Sequence, residues 1–360
     1  MGKQAKHICI VSPSLKIGGI ERALTVLSNY FVSQGYEVTF ISCLTGDRFY
    51  TLDKRIHLIE PVFKRNSGQL NKFLFYPRVA GFIRKQTIKV RPDVVLTFGD
   101  WFSPLVLFAL IGSAIPVYIS DRTSPDYAFG IAVRAGKRIF YPGSAGFIAQ
   151  TKRSADYKLK QFGDKLNIRV IPNAIREVTL YNIPREKIIL YVGRFAWEKG
   201  PERLIEAFAM IEEKRDWRLV MAGSGPMLEP MKALVMKLDI ADMVDFLGKV
   251  ENVDLLYSRA GIYVLPSVLE GFPNSLCEAM AAGLPSVCFD SLAYEDIFIP
   301  GSSGMVVEKD NISGLASALK LLINDPDERN RIGQNARLAC KQFDVNSVGE
   351  RVLDFIFDKK

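Results

Sequence analysis

The sequence predicts an α/β protein of two Rossmann-like, doubly wound domains facing a central cleft. Three observations carry this. A chain of 360 residues exceeds what one hydrophobic core fills, and roughly 150 residues per domain gives two or three. Two series of short β-rich apolar runs alternate with helical periodicity along it, a rhythm that builds parallel sheets with crossover helices. Between the series, residues 172–184 carry a proline at either end, include polar residues and show little periodicity, as a connector would.

The first series places strands at 8–12, 38–42, 57–59, 94–97, 117–120, 147–149 and 169–171. The second places them at 188–192, 218–221, 244–246, 262–265, 286–289 and 305–307. Helices are expected at 20–34, 70–89, 103–111, 326–341 and 345–357. The domains therefore run over 1–178 and 179–343, with a last helix in 344–360. Residues 101–120 hold no charge and are long enough to span a bilayer. Pro104, Gly112 and Pro116 break them into a short helix and a strand, so buried core is expected instead.

With 48% hydrophobic and 24% charged residues the composition excludes a disordered or collagen-like chain. Five scattered cysteines without CxxC spacing give neither a disulfide framework nor a zinc knuckle, which fits a reducing compartment. His7 and His57, the only histidines, are too few and too far apart for a histidine metal site or a Ser/His/Asp triad. The polar, basic residues 1–6 precede an apolar run shorter than a signal-peptide core. A cytoplasmic protein is expected. Charge is uneven: residues 1–180 hold 26 Lys and Arg against 12 Asp and Glu, and the remainder 21 against 27. A basic half of this kind suits a polyanion or an anionic membrane surface. Within it, residues 70–89 set Phe73, Leu74, Phe75, Val79, Phe82 and Ile83 among Lys72, Arg78, Arg84, Lys85 and Lys89. They form either a basic amphipathic helix that lies on anionic lipid or an ordinary helix burying Val79 and Phe82 on its own sheet.

In doubly wound sheets ligands bind at the carboxyl ends of strands, so chemistry belongs in the loops that follow them. After the first strand, Gly18-Gly19 opens a helix. A glycine pair there lets backbone N–H groups and the helix dipole meet a phosphate, or it is a plain tight turn; GxGxxG spacing is absent. Strand 188–192 runs into Gly193-Arg194-Phe195-Ala196-Trp197-Glu198-Lys199-Gly200. Arg194 and Lys199 suit a diphosphate needing two fixed cations, unless Lys199 simply faces water in a solvated turn. Strand 262–265 leads to Glu270-Gly271-Phe272-Pro273-Asn274-Ser275-Leu276-Cys277-Glu278-Ala279-Met280-Ala281. Pro273 fits a helix start. Glu270 lies in the loop and Glu278 inside a largely apolar helix, where a charge wants a reason. One carboxylate can meet a sugar and the other a ribose. Asp325-Pro326-Asp327 spells DxD, but Asp325 reads as an N-cap, Pro326 as the first helical residue and Glu328 as the capping-box acid. No metal is called for.

These elements resemble, in order, the family 4 retaining glycosyltransferases of GT-B architecture. The resemblance rests on Gly-Arg with Glu-Lys-Gly at 193–200, Ile171-Pro172-Asn173-Ala174, Gly223-Ser224-Gly225-Pro226, and Glu270 and Glu278 with Glu278-Ala279-Met280-Ala281. It is strong over residues 170–343 and looser before them. The resemblance implies an N-terminal acceptor-binding domain and a C-terminal nucleotide-sugar domain, with the helix of 344–360 crossing back to pack on the first. Arg194 and Lys199 would bind the donor diphosphate, Glu278 the ribose and Glu270 the transferred sugar. Backbone N–H groups of Phe272, Pro273-linked Asn274, Ser275 and Leu276 would meet sugar and phosphate, Gly18, Gly19 and Gly223 would lie along the donor, and Lys249 and Val250 would lie by the base. Two departures stand out. Where many relatives carry a histidine after the strand at 117–120, this chain has Asp121-Arg122-Thr123, and Glu295 stands in an altered segment beside the donor sugar. Asp121 and Arg122 would orient acceptor or sugar; Asp121 as a base, or as a cap of the following turn, stays open. The expected reaction is retaining transfer of a hexose from a nucleotide diphosphate to a saccharide acceptor, lipid-linked or growing, without cofactor, metal or nucleic acid. A non-hydrolysing nucleotide-sugar epimerase and a silent nucleotide- or lipid-binding protein are the alternatives.

Overall fold

A computed structural model describes residues 6–16, 18–46, 48–63, 69–212, 214, 216–291 and 293–357. The side chains of Lys72, Phe73 and Leu74, and Ile17 and Leu292 of two motifs, lie outside the described residues. The chain divides into two compact units, Met1–Ala174 with Val345–Lys360, and Ile175–Asp344. The break falls just before the 178/179 position expected, because Arg176 and the Thr179 amide are bound to Asp254 of the second unit.

The first unit has seven parallel strands, β1 (His7–Ser12), β2 (Glu37–Ser42), β3 (His57–Ile59), β4 (Val94–Phe98), β5 (Val117–Ser120), β6 (Gly146–Ala149) and β7 (Ile168–Val170), in the order β3-β2-β1-β4-β5-β6-β7. Helices α1 (Gly19–Ser33), α2 (Gln69–Val90), α3 (Ser103–Ala109), α4 (Ile131–Phe140) and α5 (Lys152–Phe162) make the crossovers. Central strands β1, β4 and β5 are buried along almost their whole length. That is why they read as unbroken apolar runs.

The second unit repeats the plan with β8 (Ile188–Val192), β9 (Arg218–Ala222), β10 (Val244–Gly248), β11 (Ile262–Leu265), β12 (Ser286–Phe289) and β13 (Met305–Val307), ordered β10-β9-β8-β11-β12-β13. Its helices are α6 (Pro201–Ala209), α7 (Leu228–Lys237), α8 (Val253–Arg259), α9 (Asn274–Ala281), α10 (Ile312–Asn324) and α11 (Pro326–Ala339). In each unit the chain starts mid-sheet, builds outward, then reverses from the first strand. A crevice opens where the order reverses, between β1 and β4 and between β8 and β11.

Helix α12 (Val345–Phe357) belongs to the first unit. Val348, Val352, Phe355 and Ile356 join the core of β1 and α1, Tyr36 stacks on Phe357, and Arg351 donates to the Val170 carbonyl at 2.7 Å. Gly349 is needed there: a Cβ would stand 2.2 Å from the Tyr30 ring.

Residues 101–120 fold as α3 and β5, and among the described residues no helix is long and apolar enough to cross a membrane. In α2, Val79, Ala80 and Ile83 are buried in the core under the sheet and Phe82 packs edge-on against Phe63. The described part of this helix therefore spends its apolar face on its own domain. All five cysteines are free and buried. Asp325 accepts from the Glu328 amide at 2.9 Å as N-cap of α11, while Glu328 pairs with Arg331 instead of reaching back.

Candidate active site

Five loops at the carboxyl ends of strands define the site of the second unit. Those after β8, β9 and β10 are laced by backbone bonds: Gly193 N–H donates to Ala222, Gly223 to Gly248 and Phe195 to Ser224, at 3.0, 2.7 and 3.1 Å. This approach requires glycine at 223. Its φ is +145° and a Cβ would lie 1.8 Å from the Gly193 carbonyl oxygen. Gly223 thus acts first by letting two loops touch.

The loops after β8 and β11 flank the crevice. Residues Trp197–Lys199 form one 3₁₀ turn, and Gly200, at φ +59°, turns the chain into α6 under the Pro266 carbonyl, where a Cβ would stand 2.3 Å away. The Glu198 carbonyl accepts the amide of Val268 at 2.9 Å, which fastens the two loops together. Across this junction Lys199 Nζ is ion-paired to Glu270 Oε1, and Ser267 Oγ donates to the same oxygen at 3.0 Å. Lys199 is therefore not a lysine facing water. Its side chain is 22% exposed and that of Glu270 10%. Arg194 pairs with Glu198 and keeps 65% of its side chain exposed.

Glu278, the fifth residue of α9, is buried. Tyr257 of α8, fully buried, directs its hydroxyl at Glu278 Oε2 and at the Ser275 carbonyl, both at 3.3 Å. Arg176 grips Asp254 with both terminal nitrogens and comes within 3.6 Å of Glu278 Oε2. Tyr257, Arg176 and Asp254 were not legible in the sequence as site residues. Asp254 lies 78 positions from Arg176, and no motif spans that gap.

Other candidates divide by what their side chains touch. Phe272 packs edge-on against Phe343 with ring centroids 5.5 Å apart, and Leu276 is fully buried, so both side chains serve the core. Pro273 is the N-cap residue of α9, one place earlier than the first helical turn. The Asn274 amide is taken by the Phe272 carbonyl, whereas those of Ser275 and Leu276 meet no backbone carbonyl among the described residues. These two are the donors the helix end offers. Lys249 is exposed after the edge strand β10, while Val250 packs against the core of this unit. Glu295 is exposed in the turn after β12, and Ser291 ties that loop to the Ser267 carbonyl at 2.8 Å. Among the described residues no three His, Cys, Asp or Glu side chains gather into a metal-sized group.

In the first unit, Gly18 precedes α1 with extended φ and hydrogen-bonds the Tyr50 hydroxyl. A Cβ on Gly19 would meet nothing within 4 Å, so space is open before the helix. Asp121, expected to face acceptor or sugar, turns inward instead. Its carboxylate is buried against Lys137 Nζ at 2.9 Å, Lys158 Nζ at 2.5 Å and the Tyr141 hydroxyl. Lys137 also bonds Asp100 at 2.6 Å. Burial alone would raise the Asp121 pKa, but Lys158 and Lys137 outweigh it and hold the group down to about 2. Asp100 moves the other way, raised by burial and then by the Asp121 charge. Arg122 stacks on the Phe98 ring at 3.4 Å and reaches Asn173, and its Nε is buried without a partner.

Residues 17–177 match the family described as Glycosyltransferase Family 4, and residues 180–339 match Glycosyl transferases group 1. The chain is thus a two-domain glycosyltransferase, and it belongs to this family, the two matches together taking in most of its length. It is 26% identical over 98% of its length, and 99% of the relative's, to the GalNAc-alpha-(1->4)-GalNAc-alpha-(1->3)-diNAcBac-PP-undecaprenol alpha-1,4-N-acetyl-D-galactosaminyltransferase of Campylobacter jejuni. A second Campylobacter jejuni protein, the N-acetylgalactosamine-N,N'-diacetylbacillosaminyl-diphospho-undecaprenol 4-alpha-N-acetylgalactosaminyltransferase, is 25% identical over 95% of this chain and 97% of its own. Among solved structures, Anabaena Alr3699/HepE in complex with UDP superposes with TM-score 0.81 at 16% identity, covering 98% of this chain and 100% of that one.

The cluster around Asp121 makes a test of its own. Asp121→Asn leaves Lys158 buried without its anion and should cost about 3 to 5 kcal/mol of stability. Removing that cation as well, in Asp121→Asn/Lys158→Met, should restore at least half of the loss. Thermal unfolding of the two variants against wild type checks this; a double variant no more stable than the single would show that the lysine charge is not the cause.

Proposed function

We propose that the protein transfers a hexose or hexosamine, with retention at the anomeric carbon, from a nucleotide diphosphate donor to a hydroxyl of a lipid-linked or growing saccharide. The observation that carries this is the Lys199–Glu270 pair at the crevice of the second unit, with Glu278 held behind it. A donor diphosphate laid along the crevice would take Lys199, Arg194 and the Ser275 and Leu276 amides, so its charge is met without a metal. The ribose hydroxyls would donate to Glu278, which Tyr257 and Arg176 keep in one orientation. Lys249 and Val250 border the place of the base, and Glu295 that of the donor sugar.

The acceptor oxygen would approach the anomeric carbon on the face that the diphosphate leaves. As the bond from C1 to the phosphate oxygen breaks, that oxygen takes the acceptor proton. Such a step asks for positioning and for stabilisation of the departing charge more than for a base on the protein. This suits an Asp121 that is locked between two lysines. Support for the acceptor class comes from the names of the two Campylobacter relatives, both of which act on diphospho-undecaprenol-linked saccharides. Proton NMR of the product tests the stereochemistry: an anomer like that of the donor is expected, and an inverted one would end the reading.

The residues divide by role. Lys199→Ala should lower donor affinity by about 30-fold or more, since a cleft-bound diphosphate loses a cation. Glu278→Ala should weaken nucleotide binding itself, whereas Glu270→Ala should chiefly lower kcat. Calorimetry with nucleotide and with nucleotide-sugar, beside turnover, separates them; equal loss of nucleotide affinity in both glutamate variants would remove the division.

The exposed cations of the first unit also favour a peripheral seat on an anionic membrane. Co-sedimentation with vesicles containing anionic lipid should fall as salt rises, and binding indifferent to both lipid charge and salt would refute it.

A further inference from the structure

The first unit holds a pocket of about 810 Å³ between α4, α5 and the loop after β5, a size that suits a small molecule. Its floor is the Asp121 cluster, in which Asp100 and Asp121 balance Lys137 and Lys158. The floor therefore adds no net charge. The remaining acid of the lining, Asp126, is paired with Arg153.

The walls are different. Arg134 and Arg138, one turn apart on one face of α4, and Lys160 of α5 line the same pocket, are exposed, and make no ion pair among the described residues. Three cations around one cavity repel one another, and a polyanion relieves that repulsion. Residues at i and i+4 of a helix have Cβ atoms about 6 Å apart, close enough for two flexible arginine side chains to reach two linked phosphates. Large apolar side chains share the rim: Ile131 is 77% exposed, Tyr127 47% and Tyr157 39%. Apolar area of this kind gains from being covered, which a wholly polar anion cannot do.

We propose that this pocket binds a diphosphate ester of an apolar alcohol, its phosphates on Arg134 and Arg138 and its chain against Ile131, Tyr127 and Tyr157. The assignment rests on the lipid-linked acceptor reading above and gives that acceptor's carrier end a seat in the first unit, apart from the donor residues of the second.

The test uses the full chain saturated with UDP, so that the donor diphosphate site is filled. Farnesyl diphosphate, inorganic pyrophosphate and farnesol are titrated into wild type and into Arg134→Ala/Arg138→Ala. Farnesyl diphosphate should bind wild type at least tenfold more tightly than either fragment and should lose at least tenfold in the variant, with UDP affinity and unfolding midpoint unchanged. Equal affinity of wild type and variant overturns the proposal. Pyrophosphate binding as tightly as the ester overturns it too, in favour of a free-phosphate site. Transfer to a short water-soluble glycoside reports separately on the function: transfer that persists while farnesyl diphosphate fails to bind removes the pocket and leaves the glycosyltransferase reading, whereas transfer to the glycoside but not to a diphosphate-linked saccharide, with ester binding as expected, removes the lipid-linked acceptor reading alone.

Discussion

The ion pair between Lys199 and Glu270 is the interaction around which the loops of the second unit's crevice are arranged, and it exists because of strand order. Lys199 follows β8 and Glu270 follows β11, neighbours in the sheet although more than 60 residues apart in the chain. Crossover helices leave from opposite sides at that point, so these two loops border the gap between the strand ends. The Val268 amide on the Glu198 carbonyl and the close passage of Gly200 under Pro266 fix the loops before either side chain is considered. The pair is mostly withdrawn from water, so removing one partner costs more than a surface bridge would. On the proposed reading, a diphosphate arriving there would share Lys199 with Glu270 without having to order it.

The first unit uses the equivalent position differently. Asp100, two residues past β4, accepts the amides of Arg122 and Thr123 at 3.0 and 3.2 Å, so the loop after β5 is tied to the loop after β4 by a carboxylate and not by backbone alone. Asp121, next along, is engaged on both oxygens. Lysines at this depth are tolerable because each faces a carboxylate. The cluster acts as a rigid floor, and what it presents to a ligand is shape, while the movable charge sits above it on Arg134, Arg138 and Lys160.

The strand series was legible because parallel strands covered on both faces are apolar at every position, and the expected spans at 57–59, 117–120, 188–192, 262–265, 286–289 and 305–307 coincide with the observed ones. Glu270 and Glu278 stood out for a local reason: a charge eight residues from another, in an otherwise apolar helix and its loop. What sequence could not supply was contact between distant loops. Tyr257 of α8 meets Glu278 of α9, and Arg176 of the connector meets Asp254 of α8, only once the chain has folded. Lys137 and Lys158 look like ordinary solvated residues of amphipathic helices, and nothing local marks them as the partners of Asp121. For the same reason Asp121 resembled a replacement for a missing histidine, when its surroundings fix it as an internal anion.

The same distinction changes the meaning of the basic half. Counted along the chain, residues 1–180 carry a large cationic excess. In the fold those cations do different work. Lys137, Lys158 and Arg122 are drawn inward by Asp100 and Asp121, and Arg84 is bound to the carbonyls of Ala109 and Ile111, so none of them offers its full charge to a partner. Those left outside on α2 and α4, such as Arg78, Lys85, Lys89, Arg134 and Arg138, stand on helices whose apolar residues are divided between core and surface. On α2 the division favours the core, so its cations can act on a polyanion only as a field. On α4, Ile131 and Ile139 stay exposed beside Arg134 and Arg138. Charge and uncovered apolar area therefore coincide on α4, and that coincidence is what an amphiphilic anion requires.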